Sequence, residues 1–118
     1  MADGSLGEQL SCEYLQKQGF RIVERNWRGG HLEVDIIAEG PDGLHFVEVK
    51  SRTAPVAAPL EAQVNANKRR KLENAALKYL NHKHLEGTEV FFDIISVVYD
   101  GGKTTIGYYP QAWIPMYY

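Results

Sequence analysis

Asp35 is followed, after twelve intervening residues, by Glu48-Val49-Lys50. Between them Gly40-Pro41-Asp42-Gly43 reads as a tight turn, so the flanking segments are expected to pair as a hairpin. A turn centred between Pro41 and Asp42 sets Val34 opposite Val49, Ile36 opposite Val47 and Ala38 opposite His45 on an apolar face. The other face then carries Ile37 opposite Phe46, Asp35 opposite Glu48 and Glu33 opposite Lys50. Directly opposed side chains have Cβ atoms about 4.5–5.5 Å apart, and like charges there are destabilising. Facing carboxylates at Asp35 and Glu48 therefore call for a compensating charge. A hard divalent ion such as Mg²⁺ or Mn²⁺ suits them, because Mg²⁺ needs only one or two protein carboxylates and keeps several waters. Lys50 projects from the same side of its strand as Glu48. Its amine can hold or deprotonate a water, or neutralise charge building on a phosphate. The chemistry this implies is metal-assisted attack of water on a phosphodiester.

A Glu-x-Lys pair in a strand is ordinarily the wet side of a sheet edge. Two features argue otherwise. A wet Asp35 face would expose Leu44, Ile37 and Phe46 together, and a salt-bridged edge would leave no carboxylate facing another. Glu8 lies on one helical line with Cys12 and Leu15; spacing alone leaves it equally open to leaning toward the metal or to closing a Ser5-Leu6-Gly7-Glu8 capping box. Lys68 and Arg69 fall on the inward side of a helix near its start, where positive charge opposes the macrodipole and a phosphate would reverse the penalty. Arg70 and Lys71 read as solvated stems. Lys68, Arg69, Arg28 and Arg52 are the expected nucleic-acid contacts. Cys12 reads as a small buried hydrophobe, His82 and His84 as surface histidines lacking a zinc spacing, and Asp93 as a buried acid with a hydrogen-bond partner. The aromatic C-terminal run from Tyr108 to Tyr118 reads as packing on its own domain or on a second subunit.

The elements that must position these groups follow from periodicity. Leu10, Tyr14 and Leu15 give residues 6–18 an apolar helical stripe ended by Gly19. Strands are expected over residues 20–27, 32–39 and 44–51. Asn65 is a cap for a helix to about residue 81, with Leu72, Ala76, Tyr79 and Leu80 as its buried face. Residues 90–99 are apolar on both alternating sets, as in a strand covered on both sides, and Gly101-Gly102 turns into a last strand over residues 104–109. The order is αβββαββ. The helix between the third and fourth strands is long enough for a parallel crossover, so the fold class is α/β: a mixed sheet flanked by helices.

With 118 residues, 44% apolar and 24% charged, the chain is expected to form one domain over residues 1–118 with its core at about 5–113. Its net charge of −2 does not attract polyanions as a whole, so a nucleic-acid site must be local, and Lys68-Arg69-Arg70-Lys71 is the dense basic run. No apolar stretch approaches the roughly 20 residues of a membrane helix. Residues 1–5 lack the pattern of a secretory signal, and a lone Cys12 fits a reducing cytoplasm.

The ordered set Gly7-Glu8, Gly19-Phe20, Glu24-Arg25-Asn26-Trp27-Arg28, Glu33-Val34-Asp35-Ile36-Ile37-Ala38, Phe46-Val47-Glu48-Val49-Lys50-Ser51-Arg52 and Phe92-Asp93-Ile94-Ile95 resembles the bacterial YraN-type family of nuclease-like proteins. That resemblance implies the PD-(D/E)xK, restriction-endonuclease-like fold of archaeal Holliday junction resolvases. It implies a Mg²⁺- or Mn²⁺-dependent endonuclease acting on DNA, with branched DNA as the substrate and a homodimer as the assembly that resolvase-like relatives suggest. Asp35 matches the motif's metal-binding aspartate, Glu48 its second acidic ligand, Lys50 its lysine, and Glu8 the acidic residue that resolvase-like members carry on the first helix. Val34 stands where the motif name has proline, and Leu32 where glycine is usual. The alternative from another class is an inactive nucleic-acid-binding or partner-binding module on the same fold, favoured by the net negative charge.

Overall fold

A computed structural model describes residues 4–115. Expectations for residues 1–3 and for Tyr117 and Tyr118 lie outside the described residues. The order is α1 (Gly4–Lys17), β1 (Arg21–Gly29), β2 (Leu32–Gly40), β3 (Gly43–Thr53), α2 (Leu60–Gln63), α3 (Ala66–His82), β4 (Val90–Asp100) and β5 (Lys103–Tyr109). The five strands form one sheet in sequence order. Neighbours are antiparallel except β3 and β4, which run parallel as the long crossover requires. This is the expected mixed α/β sheet flanked by helices, with one addition: the single turn of α2, too short to carry a helical period.

Two apolar layers hold the sheet. On one side Cys12 and Leu15 of α1 pack on Ile36, Ala38, Val47, Ile95 and Val97. On the other, Leu72, Ala76 and Tyr79 of α3 pack on Ile37, Phe46 and Phe92. Fully burying one such side chain stabilises by about 1.5–3 kcal/mol. The start of α3 is fixed by the Asn65 side-chain oxygen, which accepts a hydrogen bond from the Lys68 backbone N–H at 3.0 Å, a cap contributing about 0.5–2 kcal/mol. Among the described residues α1 runs from Gly4 to Lys17, with Ser5 and Glu8 both on the helix.

The hairpin register holds where it was expected through the core: Ile36 pairs with Val47, Ile37 with Phe46 and Ala38 with His45. Toward Asp35 it departs from the simple pattern. The β2–β3 ladder is continuous from Gly40↔Gly43 only to Ile36↔Val47, and Val34 joins the α3 layer while Val49 packs on the α1 layer. The cause lies in the neighbouring strand. Arg25 pairs with Ile36, and Trp27 pairs with Val34; yet Arg25 reaches Gln9 of α1 at 2.9 Å, whereas Trp27 packs in the α3 layer. Residues two apart on a regular strand share a face, so the β1–β2 ribbon turns over between these pairs. Asn26 supplies the turn-over with φ 51°, a left-handed conformation that Asn adopts more readily than most residues. Its position across the ribbon is that of Asp35. The register of the β1–β2 pairing is unbroken across Asn26; its one shift lies nearer the start of β1, between Ile22 and Glu24, where an extra residue bends the strand.

Candidate functional site

Beyond the end of its ladder with β3, Asp35 turns its carboxylate onto that strand: Oδ2 accepts a hydrogen bond from the Val49 backbone N–H at 2.8 Å. Asp35 is thus held one residue from Glu48 without the strict cross-strand pairing expected from the sequence. Glu48, on the α3 side of β3 with Phe46, is 4% exposed. A carboxylate so buried needs partners, and it has two: Lys50 Nζ at 3.3 Å and Lys68 Nζ at 3.4 Å, both on Oε2. Lys50 comes from the same strand two residues on, and Lys68 from the first turn of α3. The lysine side chains remain 26% and 35% exposed, so neither is sealed from solvent.

Asp35 carries the electrostatic signature of the cluster. Burial, then the neighbouring Glu48 charge, push its carboxyl up to about 7; Glu8 adds to the rise, while the Val49 N–H and Lys68 oppose it. The excess of negative charge is local, between carboxylates that the backbone holds together. Glu8 enters this field from α1, brought close to β3 by Gly7: a Cβ at that position would collide with the Ser51 hydroxyl and lie 3.3 Å from Ser51 Cβ. Among the described residues no three His, Cys, Asp or Glu side chains form a ready cation cage. The candidate donors are Asp35 and Glu48, whose charges act on one another, with Glu8 in electrostatic range; so few protein carboxylates suit Mg²⁺ or Mn²⁺ carrying much of its own hydration.

The remaining sequence candidates separate. Arg28 is exposed and paired with Glu33 at 3.3 Å, so Glu33 is engaged away from Lys50, which had been its expected partner. Arg69 turns back to the Val64 carbonyl at 3.0 Å and lies 5.6 Å from the Trp113 ring centroid. Arg52 donates to the Ala58 carbonyl and the Ser96 hydroxyl at 3.0 and 3.1 Å, bracing the chain after β3. Cys12 is buried, and burial raises its thiol pKa despite the opposing Arg25, as for an inert core cysteine. His82 and His84 are exposed. Trp113 docks on its own domain, stacked on Phe92 at 5.3 Å and donating from Nε1 to Glu73 at 2.8 Å.

Sequence reasoning placed His45 in the core and gave Asp93 a partner, but missed that they are each other's. His45 Nδ1 lies 2.6 Å from Asp93 Oδ2 and Nε2 lies 2.8 Å from Asp42 Oδ1. Tyr108 donates to the same Asp93 oxygen at 2.7 Å, and the Gln111 N–H to the other at 2.9 Å. Burial alone would lower the His45 pKa, but the two carboxylates raise it overall. The parallel pairing of His45 with Phe91 and of Val47 with Asp93 is the signal that could have joined them, had the β3–β4 register been readable. This network ties β5 and the C-terminal segment to the sheet.

The fold and the carboxylate–lysine cluster define a class: a single α/β domain with a mixed five-stranded sheet whose second and third strands present acids and an amine to the first turn of a crossover helix. Residues 7–97 match the family model described as uncharacterised protein family UPF0102. The chain is 38% identical over 113 residues to a UPF0102 protein of Pelobacter propionicus, covering 93% of this chain and 81% of that one. It is 39% identical over 114 residues to one of Trichlorobacter lovleyi, covering 95% and 90%. The chain belongs to the UPF0102, or YraN-type, family.

Proposed function

We propose that the protein is a Mg²⁺- or Mn²⁺-dependent DNA endonuclease. The observation that carries the reading is the buried Glu48 carboxylate beside Asp35, with two lysine amines on one of its oxygens. Folding alone does not favour acids gathered out of water, and such clusters mark functional sites. Asp35 and Glu48, with Glu8 behind them, would hold the cation. A divalent ion in such a site supplies an activated water and neutralises charge on the phosphate. Lys50, anchored to Glu48, orients the attacking water and takes part in moving its proton. Lys68 offers its free side to a non-bridging phosphate oxygen, where negative charge grows during attack. The resemblance extends the reading to branched DNA handled by paired chains.

Purified protein is to be incubated with linear, single-stranded and four-way-junction DNA, with Mg²⁺, with Mn²⁺ and with chelator, beside Asp35→Ala and Glu48→Ala. Metal-dependent cutting that falls on the order of 10²-fold or more in both variants is the expected result. Equal cutting by all three proteins, or none by the wild type, overturns it. The second reading, a binding module without turnover, is favoured by the lysines that already neutralise Glu48; salt-sensitive DNA binding with no metal-dependent cutting selects it.

A further inference from the structure

We propose that one flank of α3, continued by the tip of the β1–β2 ribbon, is the track along which the phosphate backbone of the DNA leaves the carboxylate–lysine site. This rests on the nucleic-acid reading above. Lys68, Lys71, Ala75, Lys78 and His82 follow one another at intervals of three and four residues. At about 100° per residue they fall within an arc of roughly 80°, and from Lys68 to His82 the line is about 21 Å long. Ala75 is buried, so the line borders the face packed on the sheet, while Lys71, Lys78 and His82 are exposed.

At its far end the line meets a cleft of about 310 Å³ lined by Trp27, Arg28, Gly29, Lys78, Asn81 and His82. The turned-over ribbon builds this cleft. It seats Trp27 against Tyr79 at 5.4 Å and brings Gly29 and Gly30 against α3. A Cβ at Gly29 would collide with the Trp27 ring and lie 3.2 Å from Lys78 Cδ, and one at Gly30 would lie 3.1 Å from the Lys78 amine. The glycines therefore leave Lys78 lying across the turn beside Arg28.

Lys68 is paired with Glu48, and the lysines further along this flank are not held in the same way. Among the described residues neither Lys71 nor Lys78 forms an ion pair. Among the described residues the carboxylate paired to a cation of the cleft is Glu33, in an exposed contact with Arg28 of the kind that contributes little and yields readily. Like charges at i,i+3 oppose helix formation, and Lys68 and Lys71 also oppose the macrodipole in the early turns. A polyanion reverses both effects. Phosphates advance about 3.4 Å per nucleotide along the duplex axis and lie roughly twice as far apart along the backbone itself, so a line of about 21 Å spans about three of them. In a molecule of net charge −2, such a stripe concentrates attraction where the acids would otherwise repel DNA.

The test is equilibrium binding of a short duplex in chelator, which removes cutting from the readout, across a salt series. The proteins are wild type, Lys71→Ala/Lys78→Ala, Arg28→Ala and, as a single-charge control on the opposite sheet edge, Lys103→Ala; melting curves establish that each is folded. The double variant is expected to bind roughly 10-fold more weakly at low salt, with the slope of log K against log salt reduced by about two, and Arg28→Ala by about one. Lys103→Ala should leave both unchanged. Wild-type affinity and slope in the double variant, or an equal loss in Lys103→Ala, overturns the track, as does failure of the wild type to bind DNA at low salt. If the wild type binds with this signature but cuts nothing, the nuclease reading falls and the track stands. If it cuts while the double variant keeps its full slope, the track falls and the nuclease reading stands.

Discussion

Removing charge at Asp35 and removing it at Glu48 have different consequences, because only Glu48 is held by lysines. Asp35 ionises against burial and against Glu48, so Asp35→Asn is expected to stabilise the metal-free protein at pH 8 by about 0.5–2 kcal/mol, a rise in Tm of roughly 2–8 °C, while abolishing cutting. Glu48→Ala instead strands Lys50 and Lys68. Because both reach solvent, the cost should be about 1–2 kcal/mol rather than the ~3–5 of a sealed pair. The pH dependence has a defined sign. The folded Asp35 carboxyl is raised from 3.8 to about 7, so between those values the folded state binds more protons than the unfolded, and stability declines as pH rises through that window. His45 is also raised, and its contribution is present below about 6.5 and lost as pH rises through its folded value. Urea unfolding of the metal-free protein from pH 5 to pH 8 should show declining stability. Asp35→Asn should flatten the slope, and a wild-type curve rising with pH would contradict both assignments. That Asp35 and Glu48 come near each other was legible because the apolar pairs up to Ile36 and Val47 fix the register of the hairpin; that Asp35 leaves the ladder and bonds to the Val49 N–H was not. The commitments of Arg52 and Arg69 to carbonyls were not, since long side chains carry no periodic signal about their ends.

At the scale of elements, two local choices position the acids. Asn26 turns the β1–β2 ribbon over, and a β-branched residue at φ 51° is strained; Asn26→Val is expected to cost about 1–2 kcal/mol, with Asn26→Gly near wild type by chemical denaturation. Equal stability of the two variants would mean that the ribbon does not need this conformation. Gly7 lets α1 approach Ser51. Gly7→Val should overpack that contact by about 1–3 kcal/mol and, by lifting Glu8, reduce cutting more than Glu8→Gln alone; a variant as stable and active as wild type would contradict the close approach. The two long helices, the crossover and the β4–β5 turn were legible because Leu72, Ala76, Tyr79 and Leu80 keep a helical period and Gly101-Gly102 ends a largely apolar run; the single turn of α2 was not. The turn-over was not, because strand reading assumes strict alternation, and a single left-handed Asn leaves no mark in the hydrophobic pattern.

For the whole molecule, net charge and composition described an ordinary globular domain and gave no sign of polyanion binding. The lysine spacing along α3 can be read from the sequence, but its junction with the ribbon tip and its glycines emerges only in the assembled fold, so the mean charge was a poor guide to the surface. A Mn²⁺ titration followed by the resonance of the free ion, on wild type, Asp35→Asn and Glu48→Gln at pH 8, addresses the central claim without depending on the choice of DNA. Wild type should take up at least one ion per chain, and each substitution should abolish or weaken that uptake on the order of 10-fold or more, since two carboxylates share the cation. No uptake by the wild type, or equal uptake by all three proteins, would contradict the account.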